Sequence, residues 1–261
     1  MVRLGIFVDR CSTGISGFDD MVEGGFVRGS MILLTGVPGT GKTIFGLQFI
    51  YNGAVNGENG VYVCVESSPE VIKAQALRLG MNFDDLEKDN KVSFIRFPYD
   101  GSKFGFLKVV DQEVKRIGAK RMVFDNLATL NIRLGKYVSL WGNEDDTVAG
   151  QSSQIAASAV ESVGKERLAH SVIEQLRTMG TTTLLITFGN DDQRASVTSD
   201  EVSEFLCDGI VQLYNLPIGI RYERSLRIGK MRNTKNSPYI HSFDITGKGI
   251  IVKPVEAVYN D

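Results

Sequence analysis

The sequence predicts an α/β fold: a mostly parallel sheet flanked by helices, with an antiparallel extension at its C-terminal end. Three patterns predict it. Short apolar runs alternate with amphipathic stretches up to residue 188. A glycine-rich turn separates the first strong apolar run from the first helical pattern. The last fifth carries short strands and turn residues with no helix between them.

The elements follow in order. MILLTG (31–36) is a buried strand ended by glycine. Lys42 to about Asn56 has helical spacing, with Phe45, Phe49 and Ile50 on one face. VYVCVE (61–66) is a strand ending in an acid. Pro69 to about Leu79 is a helix with Pro in its first turn and Gly80 past its end. KVSFIRF (91–97) alternates. A helix from about Phe104 to Ile117 stops at Gly118, and RMVFDN (121–126) is a strand closing on Asp125. Residues 165–180 form another glycine-stopped helix, and TTTLLITF (181–188) is a β-branched strand. GIVQLYN, YERSLRIGKMRN, PYIHSFDI and GIIVKP are the antiparallel extension. Residues 138–164 are polar, rich in Ser and Ala, and too long for an ordinary connection. There is no linker and no internal repeat, so 1–261 reads as one domain with 138–164 as a long insertion.

Composition sets the class. The 261 residues are 43% hydrophobic and 23% charged, which excludes a disordered tail or a small disulfide scaffold. Cys11, Cys64 and Cys207 are odd in number and widely spaced, so they read as small buried hydrophobes. No stretch is long enough for a signal peptide core or a membrane span, which makes the cytoplasm the expected compartment. The net charge of -2 gives no nucleic-acid footprint across the chain. It conceals one basic strip: residues 221–253 carry eight Lys or Arg against Glu223 and Asp244. Such a strip calls for an anionic partner.

Glycine is over-used at 28 residues, while proline numbers only 6. The excess lies in the first 60 residues, and its centre is GVPGTGKT (36–43), a match to GxxxxGK[ST] directly between a strand and a helix. Gly36, Gly39 and Gly41 let the backbone curl so that N–H groups face one concavity. The helix N-terminus adds partial positive charge. Lys42 can reach the β- and γ-phosphates of a nucleotide, and Thr43 can ligate Mg²⁺. Val37, Pro38, Thr40 and Ile44 complete the candidate binding segment. Asp125, closing its strand, is the candidate second partner of Mg²⁺. Glu66 ends the neighbouring strand as a candidate base for a water nucleophile, or alternatively as a cap for the helix at Pro69.

Together these segments resemble the KaiC-like branch of the RecA-type P-loop ATPases. The similarity runs through STGISGFDDMVEGGFVRGSMILLTGVPGTGKT (12–43), VIKAQALRLG, the Asp125 strand, EFLCDGIVQL (204–213) and GKMRNTKNSPYIHSFDITGKGIIV (229–252). It is similar to single-domain relatives of the archaeal type. The resemblance implies a RecA-type fold, Mg²⁺-dependent ATP hydrolysis, and a homo-oligomeric ring, usually a hexamer, with ATP between subunits. It implies that Lys230 and Arg232, flanking Met231, reach the γ-phosphate held by the adjacent subunit. Thr234 and Thr246 match further contacts from that same neighbour. It also strengthens Glu66 as general base. The family carries two adjacent glutamates there, whereas this chain reads Glu66-Ser67. The insertion, with Trp141, Glu144, Asp145 and Asp146, is a second departure and disfavours a phosphate-backbone target.

Four functions compete at this level. The first is an ATP-hydrolysing oligomeric motor or timer. The second is a nucleotide-gated scaffold with negligible turnover, motivated by Ser67. The third is autophosphorylation on Ser67, Ser152 or Ser153. The fourth is recombinase-like DNA handling, which rests on fold analogy alone.

Overall fold

The computed structural model describes residues 8–97, 105–127, 129, 170–189 and 201–254. Two short strands, β1 (Arg10–Cys11) and β2 (Phe26–Val27), pair antiparallel ahead of the main sheet. The alternating core follows: β3 (Met31–Gly36), α1 (Lys42–Val55), β4 (Gly60–Cys64), α2 (Pro69–Leu77), α3 (Asp84–Lys88), β5 (Val92–Arg96), α4 (Phe106–Ile117) and β6 (Arg121–Asp125). Helical residues 170–178, here α5, precede β7 (Thr182–Ile186). The chain continues with α6 (Glu201–Leu206), β8 (Gly209–Ile218), β9 (Arg221–Met231), β10 (His241–Thr246) and β11 (Gly249–Val252).

The main sheet has nine strands in the order β11-β10-β9-β8-β3-β7-β6-β4-β5. Strands β8, β3, β7, β6, β4 and β5 are parallel, and β9, β10 and β11 add on antiparallel. This is the α/β class and the C-terminal extension the sequence predicts. Strands β3, β4, β6 and β7 are buried at every position. They read as continuous apolar runs because helices cover both faces.

Alternation along these strands divides the core. Ile32, Leu34, Tyr62, Cys64 and Val123 face one apolar layer with α1, α2 and the C-terminal hairpin. Met31, Leu33, Val61, Val63 and Phe124 face the other, with α4 and α5. Phe18, Phe26, Phe45 and Phe49 meet edge to face and lock the N-terminal segment onto α1. The three cysteines are free and buried, as composition implies. Burial pushes the Cys11 thiol up to about 11 and Cys64 to about 12, so neither is a ready nucleophile.

The structure departs from expectation in three places. β4 stops at Cys64, so Glu66 lies two residues past its strand rather than at its end. The short α3 was not anticipated; its DDLEK sequence is polar, with only Leu86 buried. The β1–β2 pair is too short to leave a periodic signal. The 138–164 insertion, with Trp141, Ser152 and Ser153, lies outside the described residues.

Register defines two ends of the sheet. Cys64, Asp125, Ile186, Leu34 and Val211 form one row at the carboxyl end of the parallel strands. Gly60, Arg121 and Thr182 form the row at the opposite end, where Gly209 pairs with Met231 beside Ile32.

Candidate functional site

The phosphate-loop sequence leaves β3 at its carboxyl end and turns into α1. Gly36 has no room for a side chain: a Cβ there would collide with the Leu213 carbonyl oxygen. Gly41 stands at φ 101° as the residue before α1, in the left-handed region glycine tolerates. Thr40 is buried, and its hydroxyl donates to the Val37 carbonyl at 2.9 Å, tying the loop across its base.

Lys42 is 8% exposed, and its ammonium donates to the carbonyls of Gly36 (2.6 Å) and Val37 (2.9 Å). Phe188 beyond β7 lies under it, with the ring centroid 5.8 Å away. Burial lowers the Lys42 pKa, and the nearby Asp125 and Glu66 charges oppose that fall. A buried cation held by neutral carbonyls is under-compensated, so an anion such as a nucleotide phosphate fits it.

Thr43 lies one residue on. Its hydroxyl donates to Asp125 Oδ2 at 2.9 Å, across 82 residues of sequence. The same oxygen accepts the Tyr62 hydroxyl at 2.8 Å. Burial raises the Asp125 carboxyl above its ordinary range, hydrogen bonds from Tyr62 and Thr43 pull it down, Glu66 raises it and Lys42 lowers it. Two oxygen donors on a buried, under-compensated carboxylate suit a hard divalent cation that keeps water and phosphate as its other ligands. Among the described residues no group of three or more His, Cys, Asp or Glu forms an all-protein metal cage.

Glu66 is exposed, and its Oε2 accepts the Asn126 side-chain amide at 2.6 Å. Asn126 is itself oriented, because its Oδ1 accepts the Thr129 backbone N–H at 2.8 Å. The N-cap position of the helix at Pro69 is Ser68, two residues beyond Glu66. Lys42, Thr43, Asp125 and Glu66 are thus brought together at one sheet edge. Tyr62, Asn126 and Phe188 join them, and sequence reasoning missed all three. The available signal was a tyrosine inside a valine-rich buried strand, whose hydroxyl must find a partner.

The basic residues go elsewhere. Ile210 pairs with Lys230, so Lys230, Met231 and Arg232 sit at the opposite end of the sheet from Gly36. The Lys230 ammonium donates to the carbonyls of Glu204 (3.1 Å), Phe205 (3.2 Å) and Cys207 (2.7 Å) at the end of α6. Burial lowers its pKa, and the nearby Arg232 charge adds to the fall. Arg232 pairs with Asp208 at 3.0 Å, and Asp208 also accepts Arg177 and the Met31 N–H. Thr234 accepts Arg10 Nη1 at 3.0 Å. Thr246 lies apart from these residues, at the other end of the sheet. It caps the β10–β11 turn, with its hydroxyl donating to the Gly249 carbonyl at 3.1 Å. That hairpin packs on α1: Ile245 approaches Gly41, and Gln48 bonds both backbone groups of Ile250. Thr246 therefore belongs to the neighbourhood of its own chain's phosphate loop. The reason is register, because β10 runs antiparallel to β9 and returns to the loop's end of the sheet.

A phosphate-type loop at the carboxyl edge of a parallel sheet, with an acid on a nearby strand bonded to its threonine, defines a P-loop nucleotide-binding fold. The chain belongs to the KaiC family of ATPases: the profile described as "ATPase: KaiC" matches residues 11–139 and 153–257. A UPF0273 protein of Thermotoga maritima is 31% identical over 273 residues, covering 95% of this chain and 98% of the relative. The circadian clock oscillator protein KaiC of Acaryochloris marina is 31% identical over 96% of this chain, which spans only 45% of that protein. A crystal structure of a KaiC-like protein from the hyperthermophilic archaeon Pyrococcus horikoshii superposes with a TM-score of 0.78, at 31% identity, over 95% of this chain and 100% of that one. Membership carries an ATP-binding, ATPase-type function. No helix among the described residues is long and apolar enough to cross a membrane.

Proposed function

We propose that this chain binds ATP with Mg²⁺ on residues 36–44, hydrolyses it slowly, and works as a homo-oligomeric ring in the cytoplasm. One observation carries the reading: Lys42, Thr43, Asp125 and Glu66 converge at one edge of the sheet. Lys42 neutralises phosphate charge from a buried position. Thr43 points its proton at Asp125, which leaves its oxygen lone pairs free for the cation. Bound Mg²⁺ would supply neutralisation of the phosphate oxygens. Glu66, restrained by Asn126 but open to solvent, accepts a proton from the attacking water. Lys230 and Arg232, remote from their own loop, serve a nucleotide held by the adjacent copy, with Thr234 beside them. Ring closure by such a head-to-tail contact gives the hexamer usual in the resemblance. Steady-state ATPase rates of wild type and Lys42→Ala provide the test. We expect the variant to lose at least about a hundredfold in turnover. Equal, near-background rates would remove hydrolysis from the reading.

The second reading is a nucleotide-gated scaffold with negligible turnover. Its specific support is Ser67, a half-buried hydroxyl where the family has a second glutamate. An oligomer whose size differs between nucleotide-free, ADP and ATP states, without turnover, favours this reading. A phosphate added to Ser67, read by intact mass after incubation with ATP, would instead make the hydroxyl an acceptor.

A further inference from the structure

The Tyr62 phenol is fully buried in β4 and lies outside every role given above. Its register partner on β6 is Val123, two residues before Asp125 and on the same face of the sheet. From there its hydroxyl reaches Asp125 Oδ2 at 2.8 Å, the oxygen that also accepts Thr43. The ring stacks on Phe94, with centroids 5.4 Å apart and planes 26° apart. The ring also lies beside Gly46 of α1. The core therefore fixes the ring, and the ring fixes where the hydroxyl points. A hydroxyl in such a strand is costly unless bonded, and phenylalanine would fill the same space without that demand.

We infer that Tyr62 is a positioning residue that holds Asp125 ready for the divalent cation of the nucleotide site. This rests on the reading of Asp125 as the acid that holds that cation. Two donors from different elements, α1 and β4, meet on one carboxylate oxygen. Pinning that oxygen fixes the rotation of the carboxylate, and with it the place of the second oxygen. Thr43 must also serve the cation, so its bond to Asp125 is the one that adjusts on loading. The Tyr62 bond is anchored in the core and does not need to move. Its loss leaves Asp125 held from one side only.

The experiment compares full-length wild type and Tyr62→Phe. A fluorescent ATP derivative is titrated first in EDTA and then at increasing Mg²⁺, with affinity rather than turnover as the readout. We expect nucleotide affinity in EDTA to be unchanged, while the Mg²⁺ concentration giving the half-maximal effect rises roughly three- to tenfold. Phe94→Leu loosens the ring stack but keeps the hydroxyl, so it should lower Tm and displace the Mg²⁺ curve less than Tyr62→Phe does. Tyr62→Leu is a second hydroxyl-free variant should Tyr62→Phe fail to fold. A Tyr62→Phe curve that superimposes on wild type would overturn the inference, and so would an equal displacement by Phe94→Leu. A wild type whose nucleotide affinity ignores Mg²⁺ would overturn the underlying reading of Asp125 instead.

Discussion

Asp125 meets two opposed demands. As a buried carboxylate with no full counter-charge it burdens the fold, and burial is the main reason its pKa is raised. A carboxyl raised above its unfolded value stabilises the fold at pH below its ordinary 3.8, and this contribution disappears as pH rises through the folded value. At neutral pH the ionised group therefore costs stability. Asn in its place keeps an oxygen for Thr43 and Tyr62 and removes the charge. We expect Asp125→Asn to raise Tm in the absence of nucleotide by a few degrees at pH 7. The gain should shrink toward pH 4, and Mg²⁺-dependent nucleotide binding should weaken in the same variant. Calorimetry across pH, paired with binding, checks both halves. Asp125 was legible in the sequence because an acid closing an apolar strand is a local pattern. Tyr62 and Asn126 were not, because their roles exist only once β4 and β6 lie side by side.

Elements are held to one another by a few buried polar joints, and α1 is where they meet. Its middle is joined to β11 by Gln48, whose amide oxygen accepts Ile250 N–H at 2.6 Å. Near its end the Arg121 guanidinium donates to the Phe49 carbonyl at 2.8 Å and lies 4.8 Å from the Phe49 ring centroid. Gly53 leaves room there, since a Cβ would collide with the Arg121 side chain and displace it. Glu58 completes the joint, pairing with Arg121 at 2.6 Å and with Arg28 at 2.7 Å, and so fastens the N-terminal segment to the sheet. Burial opposes ionisation of Glu58, yet the hydrogen bonds from Arg28 and Arg121 outweigh it and hold the pKa below its ordinary 4.5. A depressed carboxyl stabilises above its unfolded value and loses that contribution as pH falls through the folded one. Glu58→Gln should therefore cost about 1–3 kcal/mol at pH 7, and the penalty should fade as pH drops below 4.5. A denaturant midpoint measured at both pH values is the check; an equal loss in acid would contradict it. Periodicity revealed the strands and long helices that these joints connect. It could not reveal the joints, which pair residues 202 positions apart at Gln48 and Ile250.

At the scale of the whole molecule, the phosphate loop and the basic pair sit at opposite ends of the sheet. The loop, Asp125 and Glu66 occupy the carboxyl edge, while Lys230 and Arg232 lie where β9 finishes beside the start of β8. Sequence showed that both sets exist, and the antiparallel register that separates them is a non-local property it could not display. On the proposed reading, the basic pair serves a nucleotide held by a neighbour, because it cannot reach the loop of its own chain. Mixing experiments turn this into a number. Lys42→Ala loses the cradle and Arg232→Ala loses the donated cation, so each alone should be nearly inactive. In an equimolar mixed ring, an intact site needs a chain with Lys42 followed by a chain with Arg232. Random assembly of independent sites restores roughly a quarter of wild-type turnover. If each chain instead completed its own site, every site would lack one group and mixing would restore nothing. Premixing under conditions that exchange subunits, then measuring ATPase against ring composition by native mass spectrometry, separates the two cases. Recovery confined to mixed rings means a shared site. Its absence from rings known to be mixed means that Arg232 serves the fold through Asp208 rather than a neighbour's nucleotide.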